Sequence, residues 1–292
     1  MQRGSSMESC RRWEEMERDC LVCIFEKLSL EDLTLGVAFV CKSWCGASLD
    51  PLCWRVLDFQ RLDFMPWRRF AKRVAARYPL SPFSFSAFLR FAVRRSRGLA
   101  VELRFPLFLQ VSVEDLVYAS NECPRLKILV LRSLRLEDQA SLPKLVGKWK
   151  ELEHLEMASN PSSFPDLAAE IGANCRNFSR LKMAGLRTED ALAIVSHLPG
   201  LKYLNLSNSY MPKGTLLLIM GACREIEVLV VNRCIGFQSD EEVLEKASRI
   251  RVFKHEGSKL MDDSGYDSDE FVPFCMLCFD CDGYGSGRQC LP

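Results

Sequence analysis

Histidine is scarce in this chain. Three occur in 292 residues, His154, His197 and His255, spread over a hundred positions. No nucleophile stands beside a base, and no Gly-Lys-Ser/Thr loop is present to cradle phosphates. Enzymatic activity in this chain alone is therefore not expected, and no cofactor is implied. Net charge is nearly absent as well: 39 Lys and Arg against 38 Asp and Glu leave +1. That balance argues against a protein devoted to nucleic acid or to a membrane surface. Long apolar runs are missing; Leu216 to Met220 is among the longest, far short of a bilayer span. Glu8, Arg11, Arg12 and Glu14 interrupt any apolar core of a secretory signal near the N-terminus. Cysteine, by contrast, is plentiful at fourteen. With no signal in view these are expected as thiols in a reducing compartment, so the cytoplasm or nucleus is the expectation.

What is present begins with a helical block at 13–54, after a loose leader at 1–12. Leu21, Ile24, Phe25 and Leu28 follow helical spacing. Ser29-Leu30-Glu31-Asp32 predicts a capped helix start, opening a helix with Leu33, Leu35, Val37 and Ala38 that ends near Phe39. A third helix holds Val40, Cys41, Trp44 and Leu49, and Asp50-Pro51 stops it. Forty residues of this kind cannot bury their own apolar surface, so the block packs on the remaining chain or offers surface to a partner.

From residue 98 the chain repeats. Leu-x-x-Leu-x-Leu is seen as Leu126/Leu129/Leu131, Leu152/Leu155/Met157, Phe178/Leu181/Met183, Leu201/Leu204/Leu206 and Ile226/Leu229/Val231. Weaker copies lead at Val101/Leu103 and close at Ile250/Phe253, and Trp54-x-x-Leu57-x-Phe59 reads as a possible earlier strand. The steps from Leu126 are 26, 26, 23, 25 and 24 residues. Each copy predicts a short strand followed by a helix, with Thr188 and Ser239 as caps. One such unit cannot bury its apolar face, so the copies must stack into a solenoid over 98–260. Cys123, Cys175 and Cys223 share a slot with Trp149, Leu198 and Ala247, which makes it a buried apolar slot and not a ligand set.

After the block, residues 55–97 are expected to form a basic helical connector and the start of the solenoid. Eleven Arg or Lys fall in 61–104, interleaved with Trp67, Phe70, Tyr78, Phe83, Phe85, Phe88 and Phe91. The mixture could stack nucleic-acid bases, but Trp67, Phe70 and Val74, like Phe88, Phe91 and Ala92, share helical faces. Two amphipathic helices joined at Pro79 to Pro82 are expected, with nucleic acid disfavoured. The stretch 261–292 is acidic and glycine-rich, a composition that predicts disorder. It contains Cys275, Cys278, Cys281 and Cys290, whose spacing departs from paired zinc knuckles, so loose thiols and no metal are expected. Asp263-Ser264-Gly265-Tyr266-Asp267-Ser268 is similar to a phosphodegron.

The block resembles an F-box. It shows Arg18-Asp19, Ile24-Phe25-Glu26-Lys27-Leu28, Asp32-Leu33, Val40-Cys41-Lys42-Ser43-Trp44 and Pro51-Leu52-Cys53-Trp54 in that family's order and spacing. Met16-Glu17 stands where Leu-Pro is usual, and Cys45 where arginine is frequent; the missing proline predicts lower adaptor affinity. An ordinary three-helix cap on the solenoid is the alternative. Followed by cysteine-containing repeats, the whole is similar to the small plant F-box proteins with leucine-rich repeats. The resemblance implies an α/β architecture, a three-helix F-box and then a short right-handed leucine-rich-repeat solenoid. It further implies the substrate-recognition subunit of a Skp-cullin-F-box (SCF) ubiquitin ligase, a non-catalytic role. A Skp-type adaptor would bind Met16, Glu17, Leu21, Ile24, Leu33, Val40, Cys41 and Trp44, and through it cullin and RING subunits. Six or seven copies are too few to ring a small ligand. A protein target is expected on the strand face, at Lys127, Arg132, Glu153, Glu156, Lys182, Lys202, Asn205 and Glu227. A binding scaffold outside any ligase is the alternative.

Overall fold

The structure is a computed structural model that describes residues 13–80, 83–132 and 134–260. The leader, the acidic stretch with its four cysteines and its serine motif lie outside the described residues.

Eight parallel strands form one sheet in strict sequence order. They are β1 Val56–Asp58, β2 Glu102–Arg104, β3 Ile128–Leu131, β4 His154–Met157, β5 Arg180–Lys182, β6 Tyr203–Asn205, β7 Val228–Val230 and β8 Val252–Lys254. A single register runs through the sheet: Leu57, Leu103, Leu129, Leu155, Leu181, Leu204, Leu229 and Phe253 sit side by side. The seven leucines are fully buried. Alternation along each strand turns that residue inward and its two neighbours outward, so a common apolar row is what aligns the repeats. The expected strand–helix solenoid is therefore observed, and the Trp54-Leu57-Phe59 segment is its first strand.

Helices return the chain between strands: α3 Arg69–Arg77 and α4 Phe85–Ser96 in the first crossing, then α5 Val113–Glu122, α6 Leu142–Val146, α7 Phe164–Asn174, α8 Thr188–His197, α9 Lys213–Ala222 and α10 Glu241–Ala247; α1 (Arg18–Phe25) and α2 (Lys42–Ser48) precede the sheet. Cys123, Cys175 and Cys223 follow the last residues of α5, α7 and α9, with Leu198 at the same place after α8, all four buried. Burial pushes these three thiols up to about 12, 11 and 11, so they are inert packing groups at neutral pH.

Three local expectations need correction. The segment after Ser29 is no regular α-helix: a π turn over Asp32–Gly36 runs into a 3-10 turn over Val37–Phe39. Ser29 does cap it, its Oγ accepting from the Asp32 amide at 3.1 Å, but Gly36 weakens regular propagation in mid-helix. Thr188 is the first residue of α8 and not its cap; the Asp190 carboxylate instead accepts the Arg187 N–H at 2.8 Å. At α10 the cap is Asp240, which accepts from Val243 N at 3.1 Å, while the Ser239 hydroxyl is buried without a partner.

The aromatic residues of the connector form a cluster of ring contacts. Phe59, Phe64, Phe70, Phe85 and Phe88 meet edge-on or tilted at 5.1–6.2 Å between centroids. Such contacts add to area burial by roughly 0.5–1.5 kcal/mol each. Trp67 does not share the Phe70–Val74 face as expected; it is 66% exposed just ahead of α3.

Candidate functional site

The N-terminal block carries the first candidate surface. Of the eight residues expected to meet an adaptor, Leu21 and Leu33 are 1% exposed and belong to the interior of the block. Alternation of the helical faces puts Leu21 with Phe25 inward, and the π turn rotates Leu33 in beside Leu35. Trp44 is half-buried: its ring meets Phe25 edge-on at 5.4 Å and its Nε1 donates to the Trp13 carbonyl at 3.2 Å. Met16 packs against the same core, and Cys41 is partly buried. Glu17, Ile24 and Val40 are exposed, Val40 to 60%. Phe39, Leu49 and Leu52 are exposed apolar side chains on the block that the sequence reading missed. For Phe39 the cause is the π and 3-10 geometry of 32–39, which helical periodicity misplaces; Leu49 and Leu52 lie at the end of α2 and in the 3-10 turn Pro51–Trp54. Exposed apolar side chains gathered on one small block mark a protein-binding surface.

The block is fixed to the first repeat by a small set of contacts. Tyr78 donates its hydroxyl to the Thr34 carbonyl at 2.7 Å, and burial raises its pKa. Trp54 donates Nε1 to Ser48 O at 2.8 Å and packs edge-on against Phe91. Arg95 lies over the rings of Phe91 (4.3 Å) and Trp54 (5.2 Å), where burial lowers its pKa and its Nε has no partner. A planar guanidinium can stack flat on two aromatic faces, a geometry the compact lysine ammonium does not reproduce.

The outward face of the strands is the second surface, and register sorts its residues. Lys127, Glu153, Lys202 and Glu227 all lie two residues ahead of the register leucine. Glu156, Lys182 and Asn205 lie one after it, and Arg132 lies three after. Most of the charges answer each other: Lys127 reaches Glu153 at 2.7 Å and Lys182 reaches Glu156 at 2.6 Å, each bridging neighbouring strands. Glu227 pairs with Arg251 at 3.5 Å.

Beyond the strand ends the face is not flat. The residues three past the register leucine read Arg132, Ala158, Ala184, Ser207 and Asn232 from β3 to β7. Three small side chains in succession between two long ones leave a hollow of about 340 Å³. Its polar lining comprises Arg132, Lys182 and Arg233, the carboxylate of Glu156, the amides of Gln60, Asn205, Asn208 and Asn232, and the Ser207 hydroxyl, beside apolar Leu131, Met157 and Met183. The next position along, four past the leucine, turns the chain through the left-handed region: Gly185 (φ 74°), Asn208 (59°), Arg233 (53°) and Gly257 (73°). Glycine and asparagine tolerate that geometry; arginine does so at a cost of order 1 kcal/mol or more. Arg132, Lys182 and Asn205 were among the expected residues; Asn208, Asn232 and Arg233 were not. Aligning the repeats two positions further than the leucine template would have shown the small-residue row.

Among the described residues no cluster of His, Cys, Asp or Glu has the makings of a metal site. The three histidines lie on β4, at the end of α8 and after β8, in separate repeats.

Comparison with known proteins places these two surfaces in company. A family model described as F-box-like matches residues 18–60. An F-box/LRR-repeat protein of Arabidopsis thaliana is 29% identical over 269 residues, covering 83% of this chain and 83% of that protein. The Arabidopsis thaliana F-box protein SKIP1 is 26% identical over 83% of this chain and 85% of its own length. F-box protein SKIP19 from the same plant is 24% identical over 88% and 82%. The first block thus matches a known domain, and the similarity continues through the repeats.

Proposed function

We propose that this chain, an F-box protein with a leucine-rich-repeat solenoid, is the substrate-recognition subunit of an SCF-type ubiquitin ligase. The observation that carries the reading is the joining of an F-box-like block, with apolar side chains left exposed, to a solenoid whose outward face is open. The block would hold a Skp-type adaptor, and through it cullin and RING subunits, while the strand face holds a protein target. The chain then acts by proximity, raising the effective concentration of a target lysine near a charged conjugating enzyme and performing no chemistry itself. A cytoplasmic or nuclear location follows from that role.

The contacts of Trp54, Tyr78 and Arg95 that seat the block on the first repeat support this reading, because a receptor must hold adaptor and target at a fixed separation. The buried aromatics of the connector weigh against base stacking, since the rings are spent on the core.

Co-purification of the full chain with a Skp-type adaptor is the test. The intact protein should retain adaptor, and the double variant Ile24→Asp, Val40→Asp should lose it with an unchanged melting temperature, since both side chains are exposed. Leu21→Asp would be uninformative, because a charge at that buried position unfolds the block. A folded, intact chain that retains no adaptor would leave the free scaffold as the function.

A further inference from the structure

We infer that the hollow beyond the strand ends is the specificity pocket of the solenoid and that it takes an acidic side chain of an extended peptide. The inference deepens the proposed function by naming a target class, and it rests on the solenoid being the target-binding part.

Three observations converge. The first is space: the small residues Ala158, Ala184 and Ser207 open a recess of about 340 Å³ where longer side chains would fill it. The second is the polarity of what surrounds it. Arg132, which lies over the Phe108 ring at 6.0 Å, Lys182, which engages Glu156, and Arg233 all line it, and Glu156 is the one carboxylate among the lining residues. The amides are oriented as donors: Asn205 Oδ1 accepts from Ser207 N at 3.0 Å and Asn232 Oδ1 accepts from Glu256 N at 3.0 Å. Asn205 Oδ1 also accepts from the Ser207 hydroxyl at 2.8 Å, which fills it, while its Nδ2 reaches the Tyr203 hydroxyl at 3.5 Å; each Nδ2 keeps an N–H to offer a ligand. A recess rich in cations and N–H donors matches a carboxylate, an acceptor with two oxygens.

The third observation is Arg233. It occupies a left-handed turn position held by glycine at Gly185 and Gly257 and by asparagine at Asn208. A strained arginine at the rim, where glycine would be relaxed, points to a task other than folding. A peptide source is favoured over a free acid because the recess opens onto the outward strand face, along which a chain can lie.

The test uses the full-length protein and a positional-scanning peptide array, one position fixed and the others randomised. Asp and Glu at the fixed position should bind at least tenfold better than Asn and Gln. Arg233→Gly should raise the melting temperature, by relieving the turn, and yet weaken acidic peptides by tenfold or more. Ala184→Phe, which fills the recess without changing charge, should remove the same preference. Equal binding of acidic and amide peptides, a preference for Lys or Arg, or undiminished binding by Arg233→Gly would each overturn the inference. So would free glutamate competing as effectively as the peptide. Adaptor retention by the same samples separates the two proposals: acidic binding without adaptor leaves the pocket standing and removes the ligase.

Discussion

Asp115 shows how a single residue carries a pH signature. Its carboxylate is 3% exposed in α5; Ser86 donates to one oxygen at 2.8 Å and the other is unpaired. Burial, the largest influence, raises its pKa from the ordinary carboxylate value. Between the ordinary value and the raised one, the folded chain therefore binds more proton than the unfolded chain. What this group contributes to stability is complete below the ordinary range and is lost as pH rises through the raised value. Asp115→Asn should raise the urea midpoint at pH 7, and the gain should shrink toward nothing as pH falls below about 4. A constant gain across that range would show that charge is not the cause. At this scale the sequence was partly legible. The shared slot of Cys123, Cys175 and Cys223 announced burial because Trp, Leu and Ala alternate with it. The hollow was not announced, because Ala and Ser past a strand carry no signal until the register is known.

Among the elements, the entry to α1 and the clamp from α3 are the informative ones. Glu17 precedes α1 with φ −54°, close to the angle a proline ring imposes, and it makes no side-chain cap. The absent proline therefore costs conformational entropy in the unfolded chain and leaves the native backbone as it would be. Glu17→Pro should stabilise by about 0.5 kcal/mol in chemical denaturation and leave adaptor affinity unchanged or better. A loss of stability would mean the amide of Glu17 is needed. Tyr78, just past α3, ties the solenoid to the block through Thr34; Tyr78→Phe should cost roughly 1 kcal/mol by leaving that carbonyl unpaired. Periodicity placed the first and third helices of the block and both connector helices. It misread 32–39, because π and 3-10 turns rotate side chains by other angles than 100° per residue.

In the whole molecule, one number varies along an otherwise regular stack: the step from register leucine to register leucine. It is 46 residues from Leu57 to Leu103, where α3 is inserted, then 26, 26, 26, 23, 25 and 24. The shortest step, Leu181 to Leu204, draws α7 and α8 together. A Cβ on Gly172 would stand 2.4 Å from the His197 carbonyl oxygen. Gly172→Ala should destabilise by about 1–3 kcal/mol, read from thermal or urea unfolding, while Gly214→Ala, with open space around it, should not. The sheet order and seven of the eight strands were legible because the leucine row is set by sequence alone; the first strand, set apart by a 46-residue step, read only as a possible one. The close approach at Gly172 was not, because it depends on how two neighbouring returns share space.

A sheet built in strict order is also a ruler. Each strand adds about 4.8 Å to the stack, and the helical block is fixed to its first division by Trp54, Tyr78 and Arg95. The small-residue row of the hollow is centred on β5, four divisions away, roughly 20 Å along the stack. Inserting one further repeat between β2 and β3, ahead of the polar lining, would carry whatever the hollow holds away from the block by a single division and turn it by one increment of twist. The reach of this molecule is thus written in whole repeats, adjustable in steps and not continuously.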